Sequence, residues 1–379
     1  MNKEIIPLSL LIFLISFVVY YLPVLFGPGY APNYIDAQDH TLSMLIIVKN
    51  PTLAFKMMTG IKDYNLPSGR LLVLNISPPL LYLIGASFSF LPIASSDIGF
   101  FTVSLMLSIS MVELFLILNK ESKRTFLSFL IILLLSVNSI FIAGLANGLY
   151  TLSSSLLFFI PAIYFLSKSN LKFFALFSFL LGLTSIYFLI PVAFALFYML
   201  YDKKFRKDLY SFVVKNLIFL VPMVLILGFY TLRIFYVYPF DVRLASIENN
   251  VNAANDFGYH PIRLLLGIFP FVFFIIPSFI SKNKFNRLLL VSSLAFFIPL
   301  FSFIPLPLGI GEHIAKLIEI IPAVTISSSI FILPMIKSPE YLFLLLAFVM
   351  MYLIIIYPPI SNYRLADNKR ISITLEDLR

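Results

Sequence analysis

Residues 5–26 run for about 22 positions without a charged side chain, which at 1.5 Å per residue is a helix long enough to cross a hydrocarbon core of about 30 Å. Comparable apolar runs recur at residues 97–118, 125–142, 149–166, 173–200, 209–232, 264–280, 288–304, 317–336 and 341–357. A chain built this way can bury its helices only in lipid or in one another. Composition agrees: 60% of the 379 residues are hydrophobic and 12% charged, against about 25% charged in an average soluble domain. The expected fold is an all-α polytopic membrane bundle, with residues 1–360 as a single transmembrane unit and 361–379 as a short polar tail. The first run lacks a convincing small-residue cleavage pattern and is expected to stay as an anchor. With no cysteine, disulfides and thiolate metal sites are excluded.

Short basic loops separate many of the runs: Lys120-Glu-Ser-Lys-Arg124, Lys168-Ser-Asn-Leu-Lys172, Lys203-Lys-Phe-Arg-Lys207, Lys282-Asn-Lys-Phe-Asn-Arg287 and the lone Lys337. The positive-inside rule assigns all five to the cytoplasm. An even number of crossings must then separate consecutive loops, and this decides two ambiguous segments. Residues 71–92 would place the Lys120 loop outside if they crossed. Pro78-Pro79 interrupts them and leaves about 12 apolar residues, or about 18 Å of helix, so a juxtamembrane helix on the outer face is expected, with a Pro-kinked span as the alternative. Residues 173–200 have basic loops at both ends, so a hairpin of two short helices is expected, turning near Gly182 to Ser185 beside a cavity.

About 11 crossings result, with the N-terminus cytoplasmic and the C-terminus outside in the plasma membrane. Fifteen basic and six acidic residues fall inside, which accounts for the whole net charge of +9. The basicity therefore reports topology, and nucleic acid is not expected as a partner.

The outer polar residues collect in three loops, 27–97, 233–263 and 305–316. Each carries one histidine with a carboxylate nearby: His40 beside Asp36 and Asp39, His260 after Asp256, and His313 after Glu312. Carboxylates and imidazoles are general-base candidates and ligands for divalent ions. The set lacks the His-x-x-x-His spacing of a tight zinc site. It would suit a weakly held Mg2+ or Mn2+, with Asp36, Asp39, His40 and Glu312 as candidate ligands. At helical spacing Asp36, Asp39 and His40 share one face. The alternative role for Asp36 or Asp39 is N-capping of a helix over residues 41–48.

The acids of the first outer loop, Asp36 and Asp39, together with the Pro78-Pro79-Leu80 run, resemble the GT-C superfamily of multi-pass membrane glycosyltransferases. In that superfamily a first span leads into an outer loop with an acidic motif and then a juxtamembrane helix. Here the two acids are separated by two residues, where the superfamily's are adjacent or separated by one. The resemblance implies transfer of a sugar from a polyprenyl-phosphate donor to an acceptor at the outer face. Asp36 or Asp39 would then be the base, with Arg70, Arg233, Arg243, Arg263 or Lys316 as phosphate contacts and His40, His260 and His313 also on the substrate side. Two other functions remain open: a transporter or flippase of a lipid-linked substrate, for which Glu113 is the main acidic residue within an apolar run, and a non-catalytic membrane assembly subunit.

Overall fold

The computed structural model describes residues 4–25, 35–61, 63, 73–75, 77–93, 95–137, 141, 145, 150–237 and 283–294. These residues form helices and turns, with no strand among them. The helices, in chain order, are α1 Ile5–Leu25, α2 Ile35–Lys49, α3 Pro51–Met58, α4 Leu80–Ser87, α5 Ile98–Ser122, α6 Thr125–Ser136, α7 Tyr150–Ser167, α8 Leu171–Gly182, α9 Leu189–Met199, α10 Lys203–Lys215, α11 Leu217–Val237 and α12 Lys284–Ser293. Three of them, α1, α5 and α7, are long and apolar enough to cross a membrane, and a fourth crossing counts when α10 and the following helix are taken together. The expected spans at 264–280, 317–336 and 341–357, and most of the one at 288–304, lie outside the described residues.

Two faces of α1 show what such a helix requires. Ile12, Ser16 and Tyr20, spaced by four, are buried against the bundle, whereas Ile6, Leu10, Leu14, Val18 and Leu22, also spaced by four, are exposed. A helix that is apolar all round but buried on one stripe needs lipid on the other. On the buried stripe, the Ser16 hydroxyl donates to Ser136 Oγ of α6 at 2.7 Å, a small-residue contact of the kind that lets membrane helices approach closely. Higher up, Phe17 and Tyr21 pack edge-on against Phe101 of α5.

The central helices are α5 and α7, both mostly buried. Their serines would be costly in an apolar interior if left unpaired, and several bond back along their own helix. Ser108 donates to the Ser104 carbonyl at 2.7 Å, Ser110 to the Met106 carbonyl at 2.9 Å, and Ser154 to the Tyr150 carbonyl at 2.6 Å. Such i−4 bonds satisfy the hydroxyl without a partner helix.

Three of the basic loops meet at one end of the bundle. Glu121 accepts from Lys168 at 2.7 Å and from the Asn283 side-chain amide at 3.2 Å. Lys120 and Lys168 both lie within 6 Å of the Tyr164 ring centre, a favourable cation–π distance. Helices leaving this end start on side-chain caps: Asn170 for α8, Asp202 for α10 and Asn283 for α12. The grouping expected from charge is thus reproduced by packing for the loops at 120, 168 and 282.

Residues 173–200 divide into two short helices, as their flanking charges require. α8 stops at Gly182, about 18 Å from its start, and residues 183–188 intervene before α9. α9 packs along α12, whose Phe285 sits edge-on to Tyr164 at the basic end, so the chain returns to the end it left. The run at 209–232 differs from the expected single span. The helix breaks at Asn216, and the segments on either side meet at 89°. Charge explains the break: α10 carries Lys203, Lys204, Arg206, Lys207, Asp208 and Lys215, which belong in water, while α11 has no charge before Arg233. Its 21 residues reach about 31 Å, and together with α10 it makes up the fourth candidate crossing.

Candidate functional site

Far from the basic loops, α2 enters the bundle with its polar end first. It starts at Ile35 and so takes in Asp36, Asp39 and His40, as their helical spacing predicts; Asp39 lies inside the helix and is not the N-cap that the alternative reading made it. Asp36 falls in the first turn, where the helix dipole favours a negative charge; its side chain lies outside the described residues. Gln38, Asp39, His40 and Thr41 are all buried, Asp39 at 4% exposure and His40 at 6%. Four consecutive helical residues sweep about 300° around the axis. This turn is therefore enclosed on nearly every side.

The enclosing elements each bring a polar group. Tyr82 comes from α4, Tyr150 from the first turn of α7, Asp97 from the turn before α5 and Asn75 from a short 3-10 turn, and all four are buried. Both short turns pack on α2. His40 is gripped most firmly. Its Nδ1 lies 3.0 Å from the Tyr82 hydroxyl, and its ring stacks on Tyr82 and Tyr150 with centroids 5.7 and 5.6 Å away. The hydrogen bond and the two stacked rings together set the plane and direction of the imidazole.

Glycine makes the close approach possible. A Cβ on Gly99 would strike Thr41 Oγ1 and press on Tyr150, and one on Gly85 would strike Met44. α5 and α4 can thus lie directly against α2. The break between α8 and α9 abuts the same region, since the Leu80 N–H at the start of α4 donates to the Leu183 carbonyl at 3.0 Å. Within the break the Ser185 hydroxyl is buried without a hydrogen-bond partner.

Arg233, expected as a phosphate contact, pairs with a carboxylate. Its Nη2 lies 2.8 Å from Asp63 Oδ1, with the arginine side chain buried and the carboxylate half-exposed. The guanidinium rests on Gly60, whose φ of +75° and closeness to Nη1 leave no room for a side chain. Arg233 Nε is buried and unpartnered. The pair ties the end of α11 to the segment after α3.

Of the residues expected from sequence, the structure therefore brings Asp39 and His40 into one buried centre and gives Arg233 a carboxylate partner. Arg70, Arg243, His260, Arg263, Glu312, His313 and Lys316 lie outside the described residues. Among the described residues no three His, Asp or Glu side chains group to hold a metal ion; Glu312 and the Asp36 side chain are outside that set. Sequence reasoning did not single out Tyr82, Tyr150, Asp97 or Asp63. Only Tyr82 had a local signal, as the third residue of the apolar run after Pro79. No protein-family model matches the chain, and no curated protein matches it.

Proposed function

We propose that the chain is a membrane glycosyltransferase of the GT-C type, transferring a sugar from a polyprenyl-phosphate donor to an acceptor at the membrane face opposite the basic loops. The observation that supports this reading is the burial of Asp39 beside His40 at that end of the bundle, on a helix that starts ten residues after the first span and packs on the helix following Pro79. Sugar transfer needs a carboxylate to take the acceptor's hydroxyl proton and an enclosure that limits competition from water. Asp39 supplies the carboxylate, with Asp36 one turn earlier on the same face as the second candidate. His40, fixed by two tyrosines, positions or relays the proton. In this reading the basic loops are cytoplasmic, the site faces outward, and about 11 crossings make up the full bundle. A divalent ion such as Mg2+ or Mn2+ would have to draw on Asp36 or on residues of the later loops.

Transport of a lipid-linked substrate is the competing reading, and one observation favours it: Glu113, within the central helix α5, has a buried carboxylate oxygen with no hydrogen-bond partner. Ionisable groups inside membrane spans often mark a transport path. Turnover of a lipid-linked sugar pool by the purified, reconstituted chain separates the two readings. Asp39→Asn, Asp36→Asn and the double variant keep side-chain shape while removing the base, and general-base catalysis is worth about 10²- to 10⁴-fold. At least one variant should lose transfer by such a factor while keeping its thermal stability. Full transfer by the double variant would contradict the proposal, and loss of substrate movement on Glu113→Gln with no sugar transfer by the wild type would favour transport.

A further inference from the structure

Among the described residues, the basic end of the bundle carries a helix, α10, whose basic side chains make no ion pair. α10 begins on the Asp202 cap, whose Oδ1 accepts from the Lys204 N–H at 2.9 Å. It buries Phe205 and packs Leu209 and Phe212 against the core. These residues, spaced by four and three, define its inner stripe. The remaining surface presents Lys203, Lys204, Arg206, Lys207 and Lys215, all exposed, against Asp208. None of the five bases makes an ion pair among the described residues.

Two further features say what lies against this face. The 89° bend at Asn216 turns α10 perpendicular to α11, so with α11 along the bilayer normal α10 lies in the plane of the membrane surface. Exposed apolar and aromatic side chains interleave with the bases. Tyr201, Tyr210 and Val214 are exposed on or beside α10, and the exposed surface continues without interruption into Leu217, Ile218 and Phe219 of α11. An acidic soluble partner would match the charges but not the continuity with a lipid-facing helix. An in-plane helix with bases and aromatic residues at headgroup depth matches a membrane interface.

We infer that α10 is a docking site for anionic phospholipid headgroups in the leaflet on the basic side of the membrane. Lys203, Lys204, Arg206 and Lys207 are the headgroup contacts, and Tyr210 and Val214 rest at the glycerol level. Each basic residue near an anionic leaflet contributes about 1 kcal/mol, roughly fivefold in local lipid occupancy. The inference is independent of the sugar-transfer reading, because it uses no residue of that site.

The chain contains no tryptophan, so Tyr210→Trp places the chain's single indole on this helix, where it can be excited selectively over the tyrosines. The full-length Tyr210→Trp protein would be placed in phosphatidylcholine bilayers in which a fixed fraction of lipid is brominated, either as phosphatidylglycerol or as phosphatidylcholine. Brominated phosphatidylglycerol should quench at least about threefold more strongly. The preference should vanish at about 1 M salt, where screening acts within about 3 Å. It should vanish also when Lys203, Lys204, Arg206 and Lys207 are all changed to Gln. If that fourfold variant fails to fold, as judged by circular dichroism, the salt series on the parent protein decides. Equal quenching by the two lipids would overturn the inference, as would a preference that survives high salt. Tight binding of soluble polyglutamate without any lipid preference would overturn it too, assigning the face to an acidic protein.

Discussion

His40 sits in a buried turn where an unsatisfied polar atom would cost about 1–3 kcal/mol, and the Tyr82 hydroxyl supplies its nearest phenolic partner at 3.0 Å. Tyr82→Phe keeps the stacked ring and removes only that hydroxyl. It should lower stability by about 1–2 kcal/mol, read as a fall in the thermal midpoint of the detergent-solubilised protein, and should weaken sugar transfer more than a remote Tyr→Phe change such as Tyr201→Phe. An unchanged midpoint would mean that His40 is held by its other contacts. At the other pole of the same region, Asp63→Asn leaves the Arg233 guanidinium buried without its carboxylate partner. Removing one member of a partly buried pair costs more than the pair contributes. The half-exposed position of Asp63 allows water to replace it, so the expected loss is about 1–2 kcal/mol rather than the full cost for a deeply buried pair. Chemical denaturation of the variant beside wild type measures it.

Among the elements, glycine placement separates contacts that matter from those that do not. Gly99 lies where α5 touches Thr41 and Tyr150, and an added methyl would strike the buried Thr41 Oγ1 and press on the Tyr150 ring. Gly99→Ala should therefore destabilise by about 1–3 kcal/mol. Gly228 on α11 has nothing within 4 Å of the same position, and Gly228→Ala should be neutral or stabilising by up to about 1 kcal/mol through helix propensity. Parallel thermal melts of the two variants check the contrast. Sequence made some of these elements legible and concealed others. The start of α4 after Pro79 and the division of residues 173–200 were readable because proline chemistry and flanking charge act locally. That Asp36, Asp39 and His40 share one helix was readable from their spacing, but Asp and a cap have the same composition, and only the burial of Asp39 within α2 separates the two roles. The break at Asn216 was not expected because the apolar second half of α10, Leu209 to Val214, reads on into α11 as one run that hides the change of direction. The pairing of His40 with Tyr82 and Tyr150 joins positions far apart in the chain, for which no short-range pattern exists.

At the scale of the whole molecule, charge divides the bundle into two ends. One gathers Lys120, Glu121, Lys168 and Asn283 around Tyr164; the other encloses Asp39 and His40. α5 joins the two, running from Asp97 beside the buried polar turn to Ser122 in the basic loop, about 37 Å for 25 residues. The chain has no native cysteine, so single substitutions report without background. Ser95, exposed before the start of α5, and Ser122, at its end, are the two positions to compare. A membrane-impermeant maleimide added to intact cells should label Ser95→Cys, and should label Ser122→Cys only after the membrane is permeabilised. Labelling of Ser122→Cys in intact cells, or of both positions from one side, would contradict a bundle that holds its basic loops in the cytoplasm and its buried carboxylate–imidazole centre at the outer face.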